Sequence, residues 1–291
     1  MAFTKPSVAL GLGRQGGGPD RHTDKNEFLS AGVLIAYRER PGEVYPTQQM
    51  KNALQDAAVQ ARNIVRVAND IFAKVVLLRR PESQLFQDTL AKHFDLVAGD
   101  LAGGLLVDNI VDKPFSPKAV FAHDRRWILE KIRQKLLSLS FHLNTGMYLI
   151  DQDNANRDVW NGVKDPNSVG LHNDWVGYVH MRGTQTSTRT LCGFRNGEMH
   201  ISFEDVINFS LNTNAAIIIH EAAHKFLGAP GGVGVDIYAN NPIYPPLLNQ
   251  QNGSLAIADS VTWTAVSLAT GAVRMLTHDS GDWANCPGPA L

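Results

Sequence analysis

At 291 residues with 44% hydrophobic content, the chain is long enough to bury a full core as one large domain, or one domain with an extension. Its 27 basic residues balance 28 acidic ones, so no long-range field favours nucleic acid or an anionic membrane surface. No uninterrupted apolar run approaches the roughly 18 residues that cross a bilayer, and the two cysteines, Cys192 and Cys286, exclude a disulfide framework and read as free thiols of no catalytic role.

Residues 1–30 read as a flexible or loosely docked arm ahead of a domain spanning 31–291. The first residues carry one Lys and a short, glycine-broken apolar stretch, a poor signal peptide. Synthesis in a reducing cytoplasm is therefore expected. Gly11-Leu-Gly-Arg-Gln-Gly16 is formally G-x-G-x-x-G, but Gly17-Gly-Pro-Asp20 follows and would break the helix that a dinucleotide site requires.

Pro46 to Leu78 carries one long helical pattern, with Leu54, Ala58, Ala61, Val65, Ala68, Phe72 and Val75 recurring at three and four. A second helix is predicted after Asp124 as N-cap, with Ile128, Ile132, Leu136, Leu139 and Leu143 on one face. Both read as core helices and make the N-terminal half helical. Three strands are predicted next: Thr145 to Ile150, Trp175 to Met181 and Glu198 to Phe203, the last alternating with Met199, Ile201 and Phe203 on one side. Asp151 to Asn156 superficially suggests a calcium loop. Ala155 at the fifth position, no Gly at the sixth and Gly162 at the twelfth argue for a polar surface loop instead.

Ala215-Ala-Ile-Ile-Ile-His-Glu-Ala-Ala-His224 is the most informative stretch. His220 and His224 are four apart, so on a helix both rings leave the same face. Two imidazoles so placed can share one Zn²⁺, while Glu221 stands beside the first without ligating it. Zinc lowers the pKa of a bound water toward about 7, and a neighbouring carboxylate can take its proton as it attacks a carbonyl. Chance would produce this spacing in on the order of one such chain in a hundred. Asn212, Thr213 and Asn214 are N-cap candidates, and Gly228 with Pro230 supplies a stop, predicting a helix of about three turns. The bland alternative, a buried amphipathic helix whose histidines merely hydrogen-bond, leaves two rings in need of buried partners.

A catalytic zinc site needs a third protein ligand and an open position. Four glycines and a proline follow the helix and can turn the chain back across its end. The first metal-competent side chain after His224 is Asp236, no Glu follows Glu221, and the next His is His278. The third ligand is Asp236, lies upstream, or is His278.

H-E-x-x-H, a glycine-rich turn, an Asp and a Tyr together resemble the deuterolysin or aspzincin metalloendopeptidases, a group with peptidyl-Lys metalloendopeptidase-like members. Their pattern is H-E-x-x-H, then G-T-x-D-x-x-Y-G, then a helix containing N-A-D. The corresponding segments here are Gly232-Val-Gly-Val-Asp-Ile-Tyr-Ala239 and Ile257-Ala-Asp-Ser-Val-Thr-Trp263, within roughly a quarter of the chain from Gly197 to Ala272. The resemblance implies an α+β, zincin-like fold: helical N-terminal half, small mixed sheet, active-site helix, glycine turn and C-terminal helix. It also implies zinc on His220, His224 and Asp236, Glu221 as general base, Tyr238 as oxyanion stabiliser and Asp259 as support behind the ligands. The Asp-to-Tyr spacing is one residue short of the pattern, Ala239 replaces the closing Gly, and Ile257 replaces the Asn of N-A-D. Tyr244 is thus an alternative to Tyr238. Asp259 is alternatively a helix N-terminal acid, on a helix opened by Asn252-Gly-Ser254.

The expected function is a zinc-dependent endopeptidase acting on protein or peptide substrates. Hydrolysis of a non-peptide amide, as in cell-wall material, and a catalytically silent zinc-binding module are the alternatives. Synthesis in the cytoplasm sits awkwardly with a family of many secreted members. A toxin or effector exported by a signal-independent machine reconciles the two. An inhibitor or immunity partner for such an effector has no signature in the sequence.

Overall fold

The computed structural model describes residues 25–30, 32–96, 105–107, 121–123, 125–151, 177–178, 198–227 and 257–275. The G-x-G-x-x-G stretch, Asp124, residues 152–162, both cysteines, and the glycine turn with Gly228, Pro230, Asp236, Tyr238 and Tyr244 lie outside these. So do Asn252, Ser254 and His278. The described residues form a mixed α+β structure: strands β1 (Lys25–Leu29), β2 (Val33–Tyr37), β3 (Leu105–Val107), β4 (Phe121–His123), β5 (Met147–Asp151), β6 (Gly177–Tyr178) and β7 (Glu198–Ile201), with helices α1 (Gln48–Val76), α2 (Gln84–Phe94), α3 (Arg125–Thr145), α4 (Leu211–Leu227) and α5 (Ala258–Thr270).

One sheet runs β1-β2-β5-β7-β6. Its middle pairs, β2 with β5 and β5 with β7, are parallel, and both outer pairs are antiparallel. A parallel pair needs a long crossover, and α1, α2 and α3 lie in the chain between β2 and β5. A separate antiparallel pair joins β3 to β4. The N-terminal half is therefore less purely helical than predicted. Residues 25–29, placed with the arm on sequence, are the edge strand β1, because their backbone pairs with β2 from Lys25 with Tyr37 to Leu29 with Val33. Lys51 of α1 fastens that strand through a 2.6 Å contact with Glu27.

The long first helix starts at Gln48, where Thr47 accepts from the backbone N–H of Met50 at 3.2 Å. Its buried stripe, including Leu54, Ala58, Ala61, Val65, Ala68 and Phe72, packs against α3, α4 and α5. The predicted face of α3, from Ile128 to Leu143, is buried. Val33, Ile35, Met147, Leu149, Met199 and Ile201 add one face of the sheet to this helical core. On the other face Leu34, Ala36, Tyr148 and Ile150 form a second buried cluster. Asp151, the first residue of the rejected calcium loop, ends β5 with its carboxylate accepting from the Tyr45 hydroxyl and the Phe203 backbone N–H. No described helix is long and apolar enough to cross a membrane.

His93 of α2 is fully buried, 3.3 Å from Ser267 Oγ of α5. Burial, helped by the charge of Lys92 and opposed by the Arg274 backbone, pushes its pKa from 6.5 to about 3. Between these values the unfolded chain binds the proton and the folded chain does not, so stability falls as pH drops below 6.5. His93 should cost roughly 2–3 kcal/mol of stability between pH 7 and 4.5. Urea unfolding at both pH values checks this: the loss should shrink by that amount in His93→Gln, and an equal loss in both proteins contradicts it.

Candidate metal centre

Helix α4 carries the H-E-x-x-H stretch, and it starts earlier than predicted. Ser210 Oγ accepts from the Thr213 backbone N–H at 3.2 Å, and Ser210 O accepts from that of Asn214 at 3.0 Å, so Ser210 caps the helix. Asn212, Thr213 and Asn214, the predicted caps, are helical and buried. Asn212 Oδ1 accepts from Gln60 Nε2 of α1 at 2.8 Å, and Asn214 Nδ2 donates to Val206 O at 2.7 Å. These tertiary partners let polar residues occupy the first turn, and the helix reaches 17 residues instead of about three turns. Ile217, Ile218, Ile219, Ala222 and Ala223 bury it in the core.

His220 and His224 project one turn apart and converge. Their Nε2 atoms are 2.9 Å apart, with ring centroids at 4.6 Å and planes at 77°. Behind the pair, His220 Nδ1 lies 2.9 Å from Asp259 Oδ1. Asp259 stands in the first turn of α5, which packs against α4. It is thus a helix N-terminal acid and a histidine partner at once. The helix begins at Ala258, with Ile257 in the cap position, later than the predicted opening at Asn252 to Ser254. Glu221, His224 and Asp259 are 5%, 6% and 5% exposed, so these two carboxylates and the His224 ring sit where electrostatic contacts are little screened.

With Nδ1 donating to Asp259, a His220 ring in its neutral form presents a lone pair at Nε2, the atom facing His224. Two nitrogens each about 2.05 Å from one tetrahedral ion lie about 3.3 Å apart. The observed 2.9 Å reaches that spacing with a shift of a few tenths of an ångström. The histidine pair therefore fits a zinc ion, and the carboxylate behind it is the partner that metal-bound imidazoles ordinarily have. Among the described residues no group of three His, Cys, Asp or Glu converges for a metal. The expected third donor, Asp236, lies outside them, as do Tyr238, its substitute Tyr244, and His278.

Three other described histidines have other settings. His93 meets Ser267, His142 stacks on Phe226 with centroids 4.5 Å apart, and His200 is buried in β7. Sequence inspection passed over Trp263, whose Nε1–H donates to Asp259 Oδ1 at 3.2 Å. Its signal was the four-residue interval from Asp259, which puts both on one helix face. No family model, curated protein or solved structure matches this chain.

Proposed function

We propose that this chain is a zinc-dependent endopeptidase of zincin-like fold, similar to the deuterolysin or aspzincin enzymes. The observation carrying the reading is the 2.9 Å convergence of His220 and His224 through Nε2, with His220 held from behind by Asp259. His220, His224 and Asp236 would hold the metal. When bound, zinc supplies Lewis-acid polarisation of a carbonyl and a lowered pKa for water.

The chain's own groups do the rest. Glu221, buried beside His220, accepts the proton of the attacking water and later delivers it to the leaving amine. Tyr238 donates to the developing oxyanion. Asp259 accepts a hydrogen bond from the Nδ1–H of His220 and so fixes the ring's tautomer and orientation. Strand β6, last in the sheet among the described residues and antiparallel to β7, would offer a backbone edge along which an extended peptide can pair.

The test is digestion of a mixed-sequence peptide library by the purified protein, read by mass spectrometry. Cleavage at internal bonds, abolished by a zinc chelator and restored by added zinc, is the expected result. A protein that binds zinc and leaves every peptide intact would end the endopeptidase reading and move attention to non-peptide amides.

A further inference from the structure

We propose that Trp263 is a positioning residue for His220, acting through Asp259. The inference rests on the zinc reading and adds to it a residue that touches neither metal nor substrate. Trp263 is 4% exposed, and a buried indole N–H needs an acceptor. It finds Oδ1 of Asp259, one turn back on α5, the same oxygen that lies 2.9 Å from His220 Nδ1.

Sharing that oxygen has a mechanical consequence. The terminal torsion of an aspartate is broad, so one hydrogen bond leaves its carboxylate free to rock. A second donor arriving from another direction pins the carboxylate plane. The His220 ring follows its acceptor, and its Nε2 is then held toward His224, 2.9 Å away. The indole thereby sets the aim of an imidazole on a different helix, 43 positions earlier in the chain. Phenylalanine at 263 would keep a buried aromatic ring while losing the donor and the indole's second ring, and the double variant separates the two losses.

The experiment measures zinc affinity, by competition with a chromophoric chelator, for the wild type, Trp263→Phe, Asp259→Ala and the double variant. Residues that orient a metal ligand typically contribute 10–100-fold in affinity, and Trp263→Phe should weaken zinc roughly tenfold, the lower end of that range. In the Asp259→Ala background the same substitution should change little, because the oxygen it acts through is gone. In the wild type, the Trp263 indole N–H resonance should exchange slowly with solvent and move more on zinc addition than those of the other four tryptophans. Wild-type affinity in Trp263→Phe, an undiminished loss in the Asp259→Ala background, or rapid exchange of that N–H would each overturn the inference while the zinc reading stands. A wild type that takes up no zinc defeats the zinc reading itself, and the inference with it.

Discussion

Glu221→Gln should bind zinc as tightly as the parent protein and cleave peptides about 10²–10⁴-fold more slowly, the usual worth of a positioned general base. The amide has nearly the carboxylate's shape and fits the same buried position, 5% exposed, but it cannot accept a proton from water. The expected signature is a fall in kcat with metal content unchanged. Equal activity in the two proteins removes Glu221 from the chemistry. Loss of zinc together with activity would instead make Glu221 a ligand, which its place beside His220 on the helix argues against.

Asp236→Ala should give the opposite pattern: zinc is lost first, and activity only as a consequence. In the proposed site His220 and His224 would supply two donors, one short of the three protein ligands of a catalytic zinc site. Removing a direct ligand should weaken zinc by at least about a hundredfold, beyond the 10–100-fold typical of groups that stand behind ligands. Metal content after dialysis against buffered zinc is the measurement. Unchanged occupancy would relocate the third donor, and His278→Ala would be the next variant to measure.

The two lessons of the fold come from particular elements. Helices α1 and α3 were legible because each buries one stripe and exposes the rest, so three-and-four spacing survives in the sequence. Strand β2, Val33-Leu-Ile-Ala-Tyr37, was not, because its first four residues are buried on both faces, and a parallel strand so covered shows an apolar run without alternation. Strand β5 is buried throughout for the same reason, although its flanking turn residues marked it out.

The centre divides similarly. The H-E-x-x-H stretch sits on the predicted helix because its spacing is local. The start of that helix was misplaced because Asn212 and Asn214 resemble caps in isolation, and only their bonds to Gln60 and Val206 explain their burial inside the first turn. The approach of Asp259 to His220 depends on α5 packing against α4, a tertiary fact to which resemblance pointed but spacing could not.

The most direct measurement is anomalous diffraction at the zinc edge from crystals of the zinc-loaded protein. A single peak about 2.0–2.1 Å from Nε2 of both His220 and His224, with the Asp236 carboxylate as third contact and Glu221 beyond bonding distance, is the predicted result. A zinc-loaded crystal whose anomalous peak lies elsewhere, with the two Nε2 atoms still hydrogen-bonded to each other, would contradict it.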